Sequence, residues 1–294
     1  KNYFELFKII LKHTLKTSNK FKGVMFMNAE VKGVIAIDDG GSSTCVVTRN
    51  NEEKFLSVKG LYGERTLTTV SSKYDFIVEY KGEKYVMGSL AKYDCALPLE
   101  MHTESKQNLF YDLSTLVAIH QYGFLTNNVV LSVPIKMHNK EEKRGRIERL
   151  KGSHTIKVNG VSRTFLIQDV KVAPECASAY WIHEPRGMVR WLDIGSRTVN
   201  YATTINIDDE PLRFIDNGSG TFFGMGLEAL ETKYDAKGLA DYICGRLIKV
   251  WKTDDKVYLF GGGALDETLV NYIKKYFPNA EVIGSPQMSN ARGM

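Results

Sequence analysis

The sequence predicts an α/β protein made of two similar domains that face each other across a cleft. Two observations predict it. Short β-branched runs alternate with segments of helical spacing along almost the whole chain, and one unit, a buried strand running into Asp-x-Gly and a polar turn, occurs twice. The first copy is Val31-Lys-Gly-Val-Ile-Ala-Ile37 followed by Asp38-Asp39-Gly40-Gly41-Ser42-Ser43; the second is Val189 to Ile194 followed by Gly195-Ser196-Arg197-Thr198. Asp38 and Asp193 lie about half a chain apart, the spacing expected of an internally repeated architecture.

Phe4, Phe7, Leu11 and Leu15 recur at helical intervals between lysines, so the chain is expected to open on a basic amphipathic helix within an extension over residues 1–27. The first strand–turn unit continues into a second strand, Thr44 to Thr48. Phe76 to Met87 alternates on either side of Lys81-Gly82 and predicts a hairpin. Leu109 to Tyr122 has helical spacing, Val129 to Pro134 reads as a short buried strand stopped by proline, and Asn139 to Leu150 as a charged helix. Its Lys140, Lys143, Arg144, Arg146, Arg149 and Lys151 interleave with Glu141, Glu142 and Glu148, the pattern of a solvated face with i,i+4 pairing. Thr155 to Val158 and Thr164 to Val172 bracket an Asn159-Gly160 turn, and a small-residue helix is expected over Cys176 to Trp181. In the second half a hairpin around Asp208 to Pro211 precedes the turn Gly218-Ser219-Gly220, helices through Gly226 to Trp251 and a strand from Lys256 to Phe260. A helix ending near Phe277, a strand at Glu281 to Ile283 and a loop to Met294 complete the chain.

With 294 residues, 43% hydrophobic and 25% charged, the chain is long enough for two cores and has the composition of a globular protein. It contains no apolar run of bilayer length and no secretory leader pattern, which points to the cytoplasm. Cys45, Cys95, Cys176 and Cys244 stand apart with no C-x-x-C pair, so neither a zinc site nor a disulfide framework is signalled. Lys1, Lys8, Lys12, Lys16, Lys20 and Lys22 against Glu5 account for the whole formal net charge of +5, leaving a neutral body with no electrostatic reason to grip nucleic acid directly.

The P-loop pattern is absent, and Gly218, Gly220 and Gly224 miss the dinucleotide spacing. Three glycine turns nevertheless follow three strands, at Gly40, Gly195 and Gly261, and such turns offer backbone N–H groups to phosphate oxygens without a Cβ in the way. Asp38 and Asp193 stand directly before two of them. A carboxylate beside bound phosphate is repulsive unless a cation lies between, and Mg²⁺ held by one or two carboxylates with the phosphates and water fits. Glu175 is a candidate for orienting or deprotonating an attacking water, although an acid at a helix start is also favoured by the helix dipole alone.

Together, Ile37 to Ser43, Ala173-Pro-Glu-Cys-Ala-Ser-Ala179, Leu192 to Thr198 and Leu259-Phe-Gly-Gly-Gly-Ala264 resemble, in order, the phosphate-1, connect-1, phosphate-2 and adenosine motifs of the actin, Hsp70 and sugar-kinase superfamily. Within it the sequence is most similar to bacterial plasmid-segregating actins of the ParM type, through Asp38-Asp39-Gly40, Ile147 to Lys151, Gln168 to Glu175 and Ser285-Pro-Gln287 with Asn290 to Met294. The resemblance implies an actin-like ATPase fold of the ribonuclease H-like type that binds ATP or GTP with Mg²⁺, polymerises on itself and then hydrolyses the nucleotide. By position, Asp38 and Asp193 would hold hydrated Mg²⁺. Gly40, Gly41, Ser42 and Ser43 with Gly195, Ser196 and Arg197 would cradle phosphates, while Gly261, Gly262 and Gly263 would line the nucleoside. Glu175, with Asp193, would be catalytic. Filaments would move plasmid DNA through a separate DNA-binding adaptor protein.

The implied organisation is domain I over residues 28–173, with 284–294 returning to it, and domain II over 174–283. Between Asp193 and Gly261 little chain is left for the subdomain called IIB, so it is expected to be reduced or absent, as in AlfA-like segregation actins. The chain also stops where the family continues into a closing helix. Two other readings share the fold: a membrane-associated or cell-shape actin using the basic N-terminal helix on an anionic surface, and a nucleotide-binding module that does not polymerise.

Overall fold

The computed structural model describes residues 31–64, 72–93, 95, 97–98, 104–208, 210–229 and 235–294. The expected N-terminal helix lies outside them. Val31–Met294 form one compact unit containing two sheets.

In the first sheet, β1 (Lys32–Asp39) turns through Gly40 to Ser42 into antiparallel β2 (Ser43–Thr48), and β3 (Glu52–Leu56) pairs with β2. Then follow β4 (Lys59–Leu61), the hairpin β5 (Asp75–Tyr80) and β6 (Glu83–Gly88), helix α1 (Ser89–Tyr93) and β7 (Leu97–Pro98). Lys81 and Gly82 both have positive φ, 52° and 85°, the backbone that a two-residue hairpin turn with the strands' own twist requires. Helix α2 (Leu109–Tyr122), capped by the Asn108 side chain, leads to β8 (Thr126–Val133), and helix α3 (Lys140–Leu150), capped by Asn139, leads to the hairpin β9 (Gly152–Val158) and β10 (Val161–Pro174). The strand order is β3-β2-β1-β8-β10-β9-β5-β6-β4-β7, with β8 parallel to both β1 and β10. Alternation in β1 and β8 sends Ile35, Ile37, Val129 and Leu131 into one core with Leu113, Leu116 and Val117 of α2.

The second sheet repeats this plan. After the short helix α4 (Tyr180–His183), β11 (Gly187–Ile194) turns through Gly195 to Arg197 into antiparallel β12 (Thr198–Asn206). Next come β13 (Arg213–Phe214), β14 (Gly220–Phe223), helix α5 (Ala236–Leu247), β15 (Val257–Phe260), helix α6 (Glu267–Tyr276), β16 (Ala280–Val282) and helix α7 (Ser289–Gly293). Its order is β13-β12-β11-β15-β16, with β14 also on β12 and with β15 parallel to its two neighbours. Equivalence extends to single residues: Asp38 pairs with Cys45 across the first hairpin and Asp193 with Asn200 across the second.

Four local expectations are corrected. Gly226 to Trp251 is not helical throughout: the described helix is Ala236–Leu247, and Gly226 to Ala229 form a turn bonded to the Gly195 to Arg197 loop. Cys176 has φ +67°, which ends the strand in a turn before any helix starts, so the small-residue segment is a 3₁₀ turn over Ala177–Ala179 followed by α4. The tail after Ile283 carries a 3₁₀ turn, Pro286–Met288, and then α7. On α3 the Arg144–Glu148 pair lies on the surface as expected, but Glu142 and Arg146 are buried. Cys45, Cys176 and Cys244 are buried, Cys95 half-buried, and all four are free thiols. No helix of the described residues is long and apolar enough to cross a membrane.

Candidate functional site

Because both hairpins turn at the same end of their sheets, the loops Gly40 to Ser43 and Gly195 to Thr198 line one cleft of about 560 Å³. They approach so closely that a Cβ at Gly41 would lie 2.6 Å from Cγ of Arg197 and 3.0 Å from Oγ of Ser196. The second loop is held from behind by Gly226 N–H donating to the Arg197 carbonyl, Leu227 to Gly195 and Glu228 to Ser196. Gly226 must lack a side chain there, since its Cβ would fall 2.3 Å from the Ser196 carbonyl.

Gly261 and Gly262, after β15, line the same cleft, with Pro286 and Gln287 alongside. Gly261 has φ +81°, and its Cβ would stand 2.4 Å from Asp193 Oδ1 and 2.6 Å from the Ile194 carbonyl. Gly261→Ala is therefore expected to cost about 1–3 kcal/mol of stability and to push the Asp193 carboxylate aside. Chemical denaturation measures the first effect, and a wild-type midpoint would contradict it. Gly263 is not part of the lining: it is buried where a Cβ would meet Ile194 Cγ2 at 2.5 Å, so its place is beneath the cleft.

Of the five acidic residues that line the cleft, Asp38 and Asp193 stand at the ends of β1 and β11 and Glu175 just after β10; Glu104 and Glu228 are the other two. Asp38 Oδ1 accepts from Ser132 Oγ at 2.6 Å. Asp193 Oδ2 accepts from Asn290 Nδ2 at 2.9 Å, and its pKa is pushed up to about 8, first by burial and then by Glu175 and Asp38. Glu175, raised by burial and pulled back by Lys106, is not the acid of a helix start. One of its oxygens takes the Lys106 ammonium at 2.8 Å and the other accepts from Asn200 Nδ2 at 2.8 Å. Asp193 and Glu175 are buried and Asp38 is half-buried, and Asp38 and Asp193 are the two that border the phosphate-type loops, so this pair, completed by water and phosphate oxygens, is one that a divalent cation would neutralise. The residues thus fit Mg²⁺.

Asp39, next to Asp38, has a different task. It is fully buried and paired with Arg146 and, at 3.0 Å, with Lys106. Lys106 carries no sequence motif, and its supports Glu142 and Arg146 have the charge spacing of a solvated face. Glu142 of α3 accepts from Ser105 Oγ, Lys106 N and Gln107 Nε2, each at 2.8 Å, while Arg146 donates to the Lys106 carbonyl at 2.9 Å. Gly145 leaves room for Gln107, whose Oε1 would lie 1.8 Å from a Cβ there. One face of α3 thus clamps residues 105–107 and aims the lysine into the cleft. Glu142, Gly145 and Arg146 share that helical face, a signal the sequence did carry.

Asn290, in the sequence only part of the terminal motif, is a positioning residue. Its Oδ1 accepts from Cys176 N–H at 2.8 Å while its Nδ2 holds Asp193, so α7 ties together the two chain segments that flank Glu175 and the second loop. Cys176, with φ 67° and ψ −56° and Ala177 N–H donating to the Glu175 carbonyl at 2.7 Å, forms the rare γ-turn with a positive central φ. This places strain at the residue after Glu175.

Residues 36–177 match the family model for the N-terminal domain of actin-like proteins. No curated protein matches the sequence. Among solved structures the chain is similar to a ParM filament from Clostridium botulinum, with 17% identity and a TM-score of 0.74 over 90% of this chain and 98% of that one. It is similar also to an AlfA filament bound to AMPPNP, with 18% identity and a TM-score of 0.67 over 89% and 94% of the two chains. An archaeal actin homologue gives 15% identity and a TM-score of 0.70 over 89% and 97%. At these identities the likeness is one of fold.

Proposed function

We propose, from the premise that this chain has the actin-like fold with an actin-like N-terminal domain over residues 36–177, that it is a nucleotide-dependent filament protein. It would bind ATP or GTP with Mg²⁺, assemble with copies of itself in the cytoplasm, hydrolyse the nucleotide, and move plasmid DNA through an adaptor. The observation that carries this reading is the pair of hairpin loops meeting across one cleft with Asp38, Asp193 and Glu175 between them. Proteins of this fold generally hydrolyse nucleotides, and the AlfA filament similar to this chain binds AMPPNP. The formally neutral body supports moving DNA through a partner.

Residues 28–173 with 284–294, and 174–283, are read as the two domains. The segment between β12 and β15 contributes β13, β14 and α5 among the described residues, which supports a reduced subdomain IIB. In the mechanism, backbone N–H groups of Gly40 to Ser43 and Gly195 to Arg197 bind phosphate oxygens, and Gly261 and Gly262 admit the nucleoside. Asp38 and Asp193 would hold Mg²⁺, which supplies charge neutralisation at the phosphates. Glu175, held by Asn200, orients the water that attacks the terminal phosphoryl group and accepts its proton. Phosphoryl transfer depends mainly on such positioning and electrostatic stabilisation.

The test is sedimentation of the purified chain with Mg²⁺ and ATP, GTP or ADP, with electron microscopy of the pellets. Triphosphate-dependent filaments that disassemble as phosphate appears are expected. A protein that binds nucleotide and stays in the supernatant under every condition would leave a nucleotide-binding module without polymerisation.

A further inference from the structure

Lys106 is buried at the floor of the cleft, and nothing in the motif resemblance gives it a task. Its ammonium lies 3.0 Å from Asp39, 2.8 Å from Glu175 and 3.4 Å from Ser132 Oγ, the hydroxyl that in turn donates to Asp38. The two anions it contacts are unequal. Asp39 has the buried Arg146 as a second, permanent partner and does not line the cleft. Glu175 lines the cleft, and Lys106 is its only cationic partner within ion-pair distance among the described residues. The backbone of residue 106 is fixed from both sides by Glu142 and Arg146, so any change of partner is confined to the lysine side chain. Burial works against its charge, but Asp39, Glu175 and Asp38 outweigh it and hold the ammonium protonated.

We propose that Lys106 distinguishes nucleoside triphosphate from diphosphate by exchanging Glu175 for the terminal phosphate. Without that phosphate, Lys106 neutralises Glu175 and occupies one of the oxygens the attacking water needs. When the terminal phosphate enters between the loops, its greater charge draws the ammonium away, and Asp39 remains as the pivot. The same movement frees Glu175 to accept a hydrogen bond from water. Charge neutralisation of the phosphate and release of the base then occur together. This rests on reading the cleft as a triphosphate site.

The test is calorimetric titration of the full chain, with Mg²⁺, against a non-hydrolysable triphosphate analogue and against the diphosphate. Lys106→Gln is expected to weaken the triphosphate analogue about 10–100-fold, the range for one hydrogen bond to a charged group, with the diphosphate within about 3-fold of wild type. Glu175→Gln keeps an acceptor for Asn200 and removes the competing charge. It is expected to raise the ratio of triphosphate-analogue to diphosphate affinity roughly 10-fold. That gain should vanish in the Lys106→Gln/Glu175→Gln double variant. Equal effects on both nucleotides, or a Glu175→Gln gain that survives loss of Lys106, would overturn the exchange while leaving the nucleotide site standing. A wild-type chain that binds neither nucleotide would remove the site and the exchange together. Should Lys106→Gln fail to fold, an unchanged triphosphate-to-diphosphate ratio in Glu175→Gln alone overturns the proposal.

Discussion

An Arg146→Met protein is expected to lose about 3–5 kcal/mol of stability, the usual consequence of deleting one partner from a buried ion pair. The guanidinium is fully buried and touches three groups: the Asp39 carboxylate, Asp112 Oδ1 at 3.5 Å and the Lys106 carbonyl at 2.9 Å. Methionine fills much of the volume but satisfies none of them, so Asp39 loses its guanidinium partner while keeping Lys106, and the Lys106 carbonyl loses the Arg146 donor. A surface charge of the same helix supplies the control. Arg144, which meets Glu148 at 3.8 Å in solvent, should change stability by less than about 1 kcal/mol when replaced by alanine. Urea unfolding of the two variants decides the matter, and equal midpoints would mean that the clamp on residues 105–107 carries no weight in the fold.

The same helix thus carries Arg144 and Glu148 in solvent and Glu142 and Arg146 in the core, although both pairs have the same sequence spacing. Repeated elements were legible because local pattern and tertiary role agree in them. The helix Leu109–Tyr122, the turns Lys81-Gly82 and Asn159-Gly160, and the two strand–Asp-x-Gly hairpins follow from periodicity and turn chemistry alone. Asp38, Asp193, Glu175 and the glycine turns at Gly40, Gly195 and Gly261 come together at one cleft. Lys106 is not legible in the sequence, because Glu104-Ser-Lys-Gln-Asn108 reads as an exposed polar loop and its burial is decided by Asp39, Glu142 and Arg146, each far away in the chain. Helical charge spacing is compatible with either face for Arg146 and Glu142; Gly145, out of place in a helix interior, marks the packed one. Cys176 in the left-handed region and Asn290 in the tail are long-range matters as well. At the γ-turn, Cys176 N–H donates to Oδ1 of Asn290, a residue more than a hundred positions away.

Glu175→Ala is expected to slow phosphate release about 10²–10⁴-fold, the contribution of a positioned general base, while leaving nucleotide-dependent assembly intact. The two readouts separate because of what the alanine removes. Lys106 keeps Asp39 at 3.0 Å, Asn200 keeps its contacts through Oδ1 with Thr221 Oγ1 at 2.6 Å and Ile135 N at 3.3 Å, and neither glycine loop is touched. Binding therefore persists, and only the carboxylate that faces the cleft is lost. Phosphate release and sedimentation measured on the same sample provide the check: filaments that form with ATP or GTP and persist long after wild-type filaments have disassembled. Wild-type turnover in Glu175→Ala would remove this residue from the chemistry and make its contacts with Lys106 and Asn200 a purely structural link between the two sheets. Loss of assembly together with turnover would instead mean that the link itself, rather than the water, is what the carboxylate serves.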